Sequence, residues 1–237
     1  MKNFRSMRFA CAFSAFLLTI SGVASADDEL PDVTSDGLKR IESAKVDALY
    51  WTEGATLEGY DSIRILDCPV AFRKNWKRDF NMRPTTLSGR VGDSDMERIR
   101  NGISEMFRDE FTETLQDGGY NVVEENGPNI LLLRPAIVNL DVTAPDLRDA
   151  TRTRSYVASA GSMTLYMELY DGLTGAKIAE LADSEGARDN GYFQYSTSVS
   201  NKAEARRILK KWATLLVDAL DEAHANLPAN TDPAGTD

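Results

Sequence analysis

Apolar residues fall into a few patterned segments along the chain. The clearest covers 93–117, where Met96, Ile99, Ile103, Met106, Phe107, Phe111 and Leu115 recur at three- and four-residue steps. That spacing gathers them on one face of an amphipathic helix. Asp93 reads as its N-cap, Asp95 and Glu97 suit its positive end, and Gly118-Gly119 closes it. A second stripe includes Ala205, Ile208, Leu209, Trp212, Leu215, Leu216, Ala219, Leu220 and Ala223. It predicts a last helix from a cap at Asn201 to about Ala225.

Two-residue alternation marks strands. Met163, Leu165, Met167 and Leu169 alternate with Thr164, Tyr166, Glu168 and Tyr170, as in a strand buried on one face. Asp171-Gly172-Leu173-Thr174-Gly175 then reads as a hairpin connection, with 176–183 returning. Shorter strands are expected at 62–68, ended by Pro69, and at 120–124. A longer one spans 130–143, where Pro135 implies an edge position or a bulge. Residues 38–50 form an irregular lead-in with some helical spacing.

The order strand, helix, strand, strand, hairpin, helix predicts one α+β domain over 60–225. Its single mixed β-sheet would have about five strands, with a parallel pair across the first crossover and two long helices packed on one face. Around it lie an acidic leader and lead-in at 27–59 and a frayed tail at 226–237.

Residues 1–26 read as a signal peptide. Lys2, Arg5 and Arg8 precede an apolar run from Phe9 to Ile20, and the segment ends in Val23-Ala24-Ser25-Ala26, the small-x-small pattern of a cleavage site after Ala26. The run of 12 residues is too short to span a bilayer as a helix, and no later stretch approaches the length needed. Position 27 is aspartate, so a cysteine-borne lipid anchor is not expected there. The expected location is the periplasm.

Removal of three basic residues and no acidic one takes the formal charge from −10 to −13. Such a balance argues against nucleic acid as a partner. Cys11 leaves with the signal, so Cys68 is the one mature cysteine and no intrachain disulfide can form. His224, the only histidine, sits at a helix end, where a cation favours the dipole more readily than it completes a catalytic triad. No cofactor or metal motif is present in the sequence.

Against this acidic background, Arg73, Lys74, Lys77, Arg78 and Arg83 fall within 11 positions. Phe72, Trp76 and Phe80 are interleaved at four-residue steps. Arg73, Lys74, Trp76, Lys77, Arg78 and Arg83 are the candidate partner-binding residues, with aromatics anchoring and arginines forking onto carboxylate or phosphate. The competing reading packs the aromatics into the core and pairs the cations with nearby acids. Two loops carry lesser candidates: Arg148, Arg152, Arg154 and Tyr156, and Tyr192, Phe193 and Tyr195. Glu168 with Asp171, and Asp141 with Asp146, are the carboxylate pairs that glycoside hydrolysis would need within about 5–10 Å.

Four phrases together resemble a known family. They are Ala71–Asn81 (Ala-Phe-Arg-Lys-Asn-Trp-Lys-Arg-Asp-Phe-Asn), Leu133–Asp146 (Leu-Arg-Pro-Ala-Ile-Val-Asn-Leu-Asp-Val-Thr-Ala-Pro-Asp), Glu168–Asp171 with Thr174-Gly175, and Asn201–Leu209 followed by Trp212-Ala213. The chain resembles, from about Leu49 to Asp221, bacterial envelope proteins grouped as domain of unknown function number thirty-three thirteen. The resemblance implies an exported protein in a Gram-negative periplasm. Many members look like lipoproteins, and this sequence departs from them at position 27. No activity, cofactor or catalytic residue comes with it.

The expected function is a soluble periplasmic binding or protein-interaction module of the cell envelope, its partner another envelope protein or an anionic ligand. The alternatives are a carboxylate-dependent hydrolase of envelope polysaccharide and a structural subunit of a homo-oligomer.

Overall fold

The computed structural model describes residues 30–82, 90–142, 155–157, 161–186, 194–196 and 198–225. Its strands are β1 (Lys39–Ile41), β2 (Ala48–Trp51), β3 (Ser62–Ile65), β4 (Val70–Phe72), β5 (Asn121–Val122), β6 (Ile130–Val142), β7 (Ser155–Val157), β8 (Gly161–Asp171), β9 (Lys177–Gly186) and β10 (Gln194–Ser196). The helices are α1 (Trp76–Asn81), α2 (Asp93–Asp117) and α3 (Ser198–Ala225).

The architecture is α+β with one mixed sheet, in the order β1-β2-β9-β8-β6-β3-β5 and with β4 also beside β6. β3 pairs parallel with β6 and β5, while β6, β8, β9, β2 and β1 form an antiparallel series. The sheet thus has eight strands rather than about five. Three additions account for the difference. Residues 39–51 supply β1 and β2 instead of an irregular lead-in, and β4 forms just after Pro69. All three are three- or four-residue strands, too short to display a period; they exist because β9 pairs with β2, β2 with β1, and β6 with β4.

Pro135 is accommodated by a break in the neighbouring strand. β3 ends where Leu66 N–H donates to the Leu133 carbonyl, and β4 begins where Ile137 N–H donates to the Pro69 carbonyl. Pro135 shares the orientation of Leu133 and Ile137, so its missing donor faces the gap between β3 and β4 rather than a ladder. The bulge in β6 lies further on, between Val138 and Asp141, where Asn139 takes a left-handed φ of 53°.

Both long helices cover one face. Phe107, Phe111 and Leu115 of α2 and Leu209, Trp212 and Leu220 of α3 enclose Met163, Leu165, Met167 and Leu169 of β8 with Leu131, Leu133 and Ile137 of β6. This is the predicted helical stripe meeting the predicted alternating strand. The helix starts differ slightly. Gly92 caps α2, its N–H donating to the Asp95 carboxylate at 2.9 Å, and α3 begins at Ser198, ahead of Asn201. Among the described residues no helix is long and apolar enough to cross a membrane.

Candidate binding groove

The basic aromatic segment leaves the sheet at β4 and turns at Asn75, whose φ of 62° is a left-handed conformation that asparagine tolerates better than most side chains. The turn leads directly into α1. Phe72 stacks on Trp76 with ring centroids 4.3 Å apart, and Trp76 on Phe80 at 5.4 Å. The four-residue spacing is therefore realised as a stack, and the stack is interior. Trp76 is 1% exposed, Phe80 is 3% exposed, and both pack with Val91 in a small core of their own. The indole N–H of Trp76 donates to the Val142 carbonyl at 3.2 Å. Asn81 pins the chain beyond α1 by accepting from Val91 N–H and donating to the Val91 carbonyl.

The cations divide by partner. Arg73 donates to Asp141 at 2.7 Å and to Asp79 at 2.9 Å, and the bulge in β6 lies immediately before Asp141. Asp79 also receives Arg78, and the two arginines, Arg73 first, hold its carboxyl below the ordinary carboxylate range. Lys77 reaches Asp93 at the start of α2 at 2.6 Å and lowers that carboxyl likewise. Lys74 is exposed and has no carboxylate partner among the described residues. Arg83 lies outside the described residues.

One further cation comes from α2. The Arg100 guanidinium lies over the Phe72 ring, 5.6 Å from its centroid. Arg100 is exposed, and at longer range it adds to the pull of Lys77 on the Asp93 carboxyl. Together Val70, Phe72, Trp76 and Met96 with Arg73, Lys77, Arg78 and Arg100 line an open groove of about 610 Å³. Its lining is in part apolar and in part cationic. Arg100 could have been suspected from sequence as a cation one helical turn after Met96, at the margin of the apolar stripe, but nothing local joins it to Phe72.

The other candidates have structural duties. Glu168 is 8% exposed and receives Arg134 at 3.1 Å and Lys177 at 2.7 Å. Asp171 accepts from the amides of Leu173 and Thr174 and from the Thr174 and Tyr60 hydroxyls, capping the β8–β9 turn. Asp141 is taken by Arg73, and Asp146 lies outside the described residues. His224 has Nδ1 3.5 Å from the Tyr120 hydroxyl, which donates to Asp221 at 2.7 Å. Residues 155–157 and 194–196 pair antiparallel with Tyr156 opposite Tyr195, which joins the two candidate loops; Arg148, Arg152, Arg154, Tyr192 and Phe193 lie outside the described residues.

The family model described as protein of unknown function (DUF3313) matches residues 32–216. The chain belongs to this family. The match takes in the whole groove and both long helices up to Leu216 of α3. Solved structures similar to this DUF3313 protein include the PelC dodecamer from Paraburkholderia phytofirmans, at 12% identity over 69% of this chain and 95% of that one, with a TM-score of 0.32. A DUF330 protein from Xanthomonas campestris is similar at 14% identity over 70% and 86%, TM-score 0.39. A minor lipoprotein from Acinetobacter baumannii is similar at 9% identity over 69% and 94%, TM-score 0.33. No curated protein matches the chain significantly.

Proposed function

We propose that this DUF3313 protein is exported, loses residues 1–26 after Ala26, and serves in the periplasm as a binding module for an anionic partner met at the groove beside α1. The observation that carries the reading is the Arg100 guanidinium placed over the Phe72 ring, 5.6 Å from its centroid. A guanidinium held over an aromatic face is fixed in direction while its edge donors remain available for a carboxylate or phosphate. Lys74 and Arg78 stand close by in sequence, exposed, in a chain of net charge −10. A local basic site on an acidic protein favours small or localised anions over extended polyanions.

The contact residues of this reading are Lys74, Lys77, Arg78 and Arg100, with Arg73 as the strut that holds Asp79 and Asp141. Trp76 supports the groove from within and is not itself a contact surface. The test is photo-crosslinking in the periplasm from a probe replacing Lys74, in the exported full chain. Capture that disappears with Arg100→Glu and weakens as salt rises supports the proposal. Capture unchanged by charge reversal at Arg100 and Arg78, in variants that melt like the parent, overturns it. Export itself is read from the mature N-terminus, expected at Asp27.

A further inference from the structure

We infer that the groove receives the phosphate headgroup of a single anionic phospholipid, with Arg100 meeting the phosphate and Val70, Phe72 and Met96 receiving the adjoining apolar part. This rests on the proposal that the groove is an anion site, and names the ligand. The groove is amphiphilic in the sense a lipid headgroup requires. Three of its four cations, Arg73, Lys77 and Arg78, already have carboxylate partners. Arg100, the fourth, lies over a ring and shares Asp93 with Lys77 only at longer range, so four cations face the three carboxylates Asp79, Asp93 and Asp141. The unneutralised charge within the groove is therefore about that of a phosphodiester, not of a polyanion.

Beside that charge, part of the lining is apolar. Val70, Phe72 and Met96 are half-buried and belong to the hydrophobic packing, yet they also line the groove. A free inorganic anion gains nothing from such a surface, whereas methylenes next to a phosphate do. A volume of about 610 Å³ suits one headgroup-sized body. An acidic peptide added as a strand is the poorer fit, because β4 offers only three residues of edge.

The experiment is calorimetric titration of the exported full chain with monomeric dihexanoylphosphatidylglycerol, dihexanoylphosphatidylcholine and glycerol 3-phosphate. Phosphatidylglycerol is expected to bind most tightly. Arg100→Gln should weaken it about tenfold or more, as loss of a charge-assisted hydrogen bond implies. Met96→Gln should weaken the lipid severalfold and leave glycerol 3-phosphate unchanged. Melting curves matching the parent establish that both variants are folded. Equal binding of glycerol 3-phosphate and phosphatidylglycerol overturns the lipid assignment in favour of a free phosphate. Equal binding of both lipids, or no effect of Arg100→Gln, overturns it too. If no lipid binds while the Lys74 probe still captures an envelope protein, the lipid assignment fails and the anion-site reading stands. If neither occurs, both fail.

Discussion

The indole N–H of Trp212 donates to the carboxylate of Asp183 at 2.7 Å, joining α3 to β9 through a buried charge. Asp183 is 4% exposed, and its other oxygen accepts the backbone N–H of Asp47 at 3.1 Å. Asp47 returns the bond, accepting Ser184 N–H at 2.8 Å. One carboxylate thus ties together residues 47, 183 and 212, linking the residue just before β2 to β9 and α3. Trp212→Phe keeps most of the ring but removes the N–H donor from a buried carboxylate oxygen, leaving it only the Lys211 ammonium at 3.7 Å. We expect a loss of about 2–4 kcal/mol in urea unfolding, and at least as much for Asp183→Asn, whose amide NH2 would face an N–H donor and leave Lys211 without this carboxylate.

Trp76 separates support from contact. Trp76→Ala empties the middle of the Phe72–Trp76–Phe80 stack and should destabilise the protein by about 3–5 kcal/mol. Trp76→Phe should cost less than half of that. Unfolding curves for the two variants check this, and a Trp76→Ala protein as stable as the parent would contradict its placement in the core.

The Tyr60–Asp171 bond of 2.8 Å makes stability depend on pH at both ends. Asp171 is held below the ordinary carboxylate range, first by the Thr174 hydroxyl and amide and then by Tyr60 and the Leu173 amide. Its contribution is therefore full above about pH 4, the unfolded value, and is lost as pH falls through the lowered native value. Tyr60 moves the other way. Burial first, and then the bond to Asp171, pushes its hydroxyl up to about 12. That contribution is full below about pH 10 and is lost as pH rises through the native value. Unfolding free energy against pH, measured by urea titration, should fall on both sides, and Asp171→Ala should reduce both slopes while lowering the plateau by about 1–3 kcal/mol.

Cys68 should report unfolding. It is 5% exposed, and burial pushes its thiol up to about 12. The thiolate is the reactive form, so alkylation near pH 8 should be slow in the native protein and rapid in denaturant. Rapid labelling without unfolding would show that the β3–β4 break opens on its own.

Gly172 gives a backbone test. A Cβ there would lie 2.6 Å from the Ile130 carbonyl oxygen, and Gly172 N–H already donates to that same oxygen at 2.8 Å. Gly172→Ala should cost about 2–4 kcal/mol, measured by urea unfolding, by forcing the hairpin away from β6.

The chain by itself determined the elements whose partners are their own neighbours. The stripe from Met96 to Leu115, the stripe through Trp212, the alternation of Met163–Tyr170 and the turn at Asp171 each carry a period or cap within one short window, and each is found in place. The parallel β3–β5 pair across the first crossover followed from their order. Local periodicity is legible because backbone geometry repeats within a few residues. The rest was decided by contacts between distant segments. β1, β2 and β4 are strands because other strands accept them, Pro135 is tolerated because its neighbour breaks, and the aromatic stack is interior because Val91 and Val142 close over it. Arg100 enters the groove from another helix, and Glu168 is occupied by Arg134 and Lys177. The spacing of residues can place a side chain on a face; only the fold decides whether that face meets water, a carboxylate or the core.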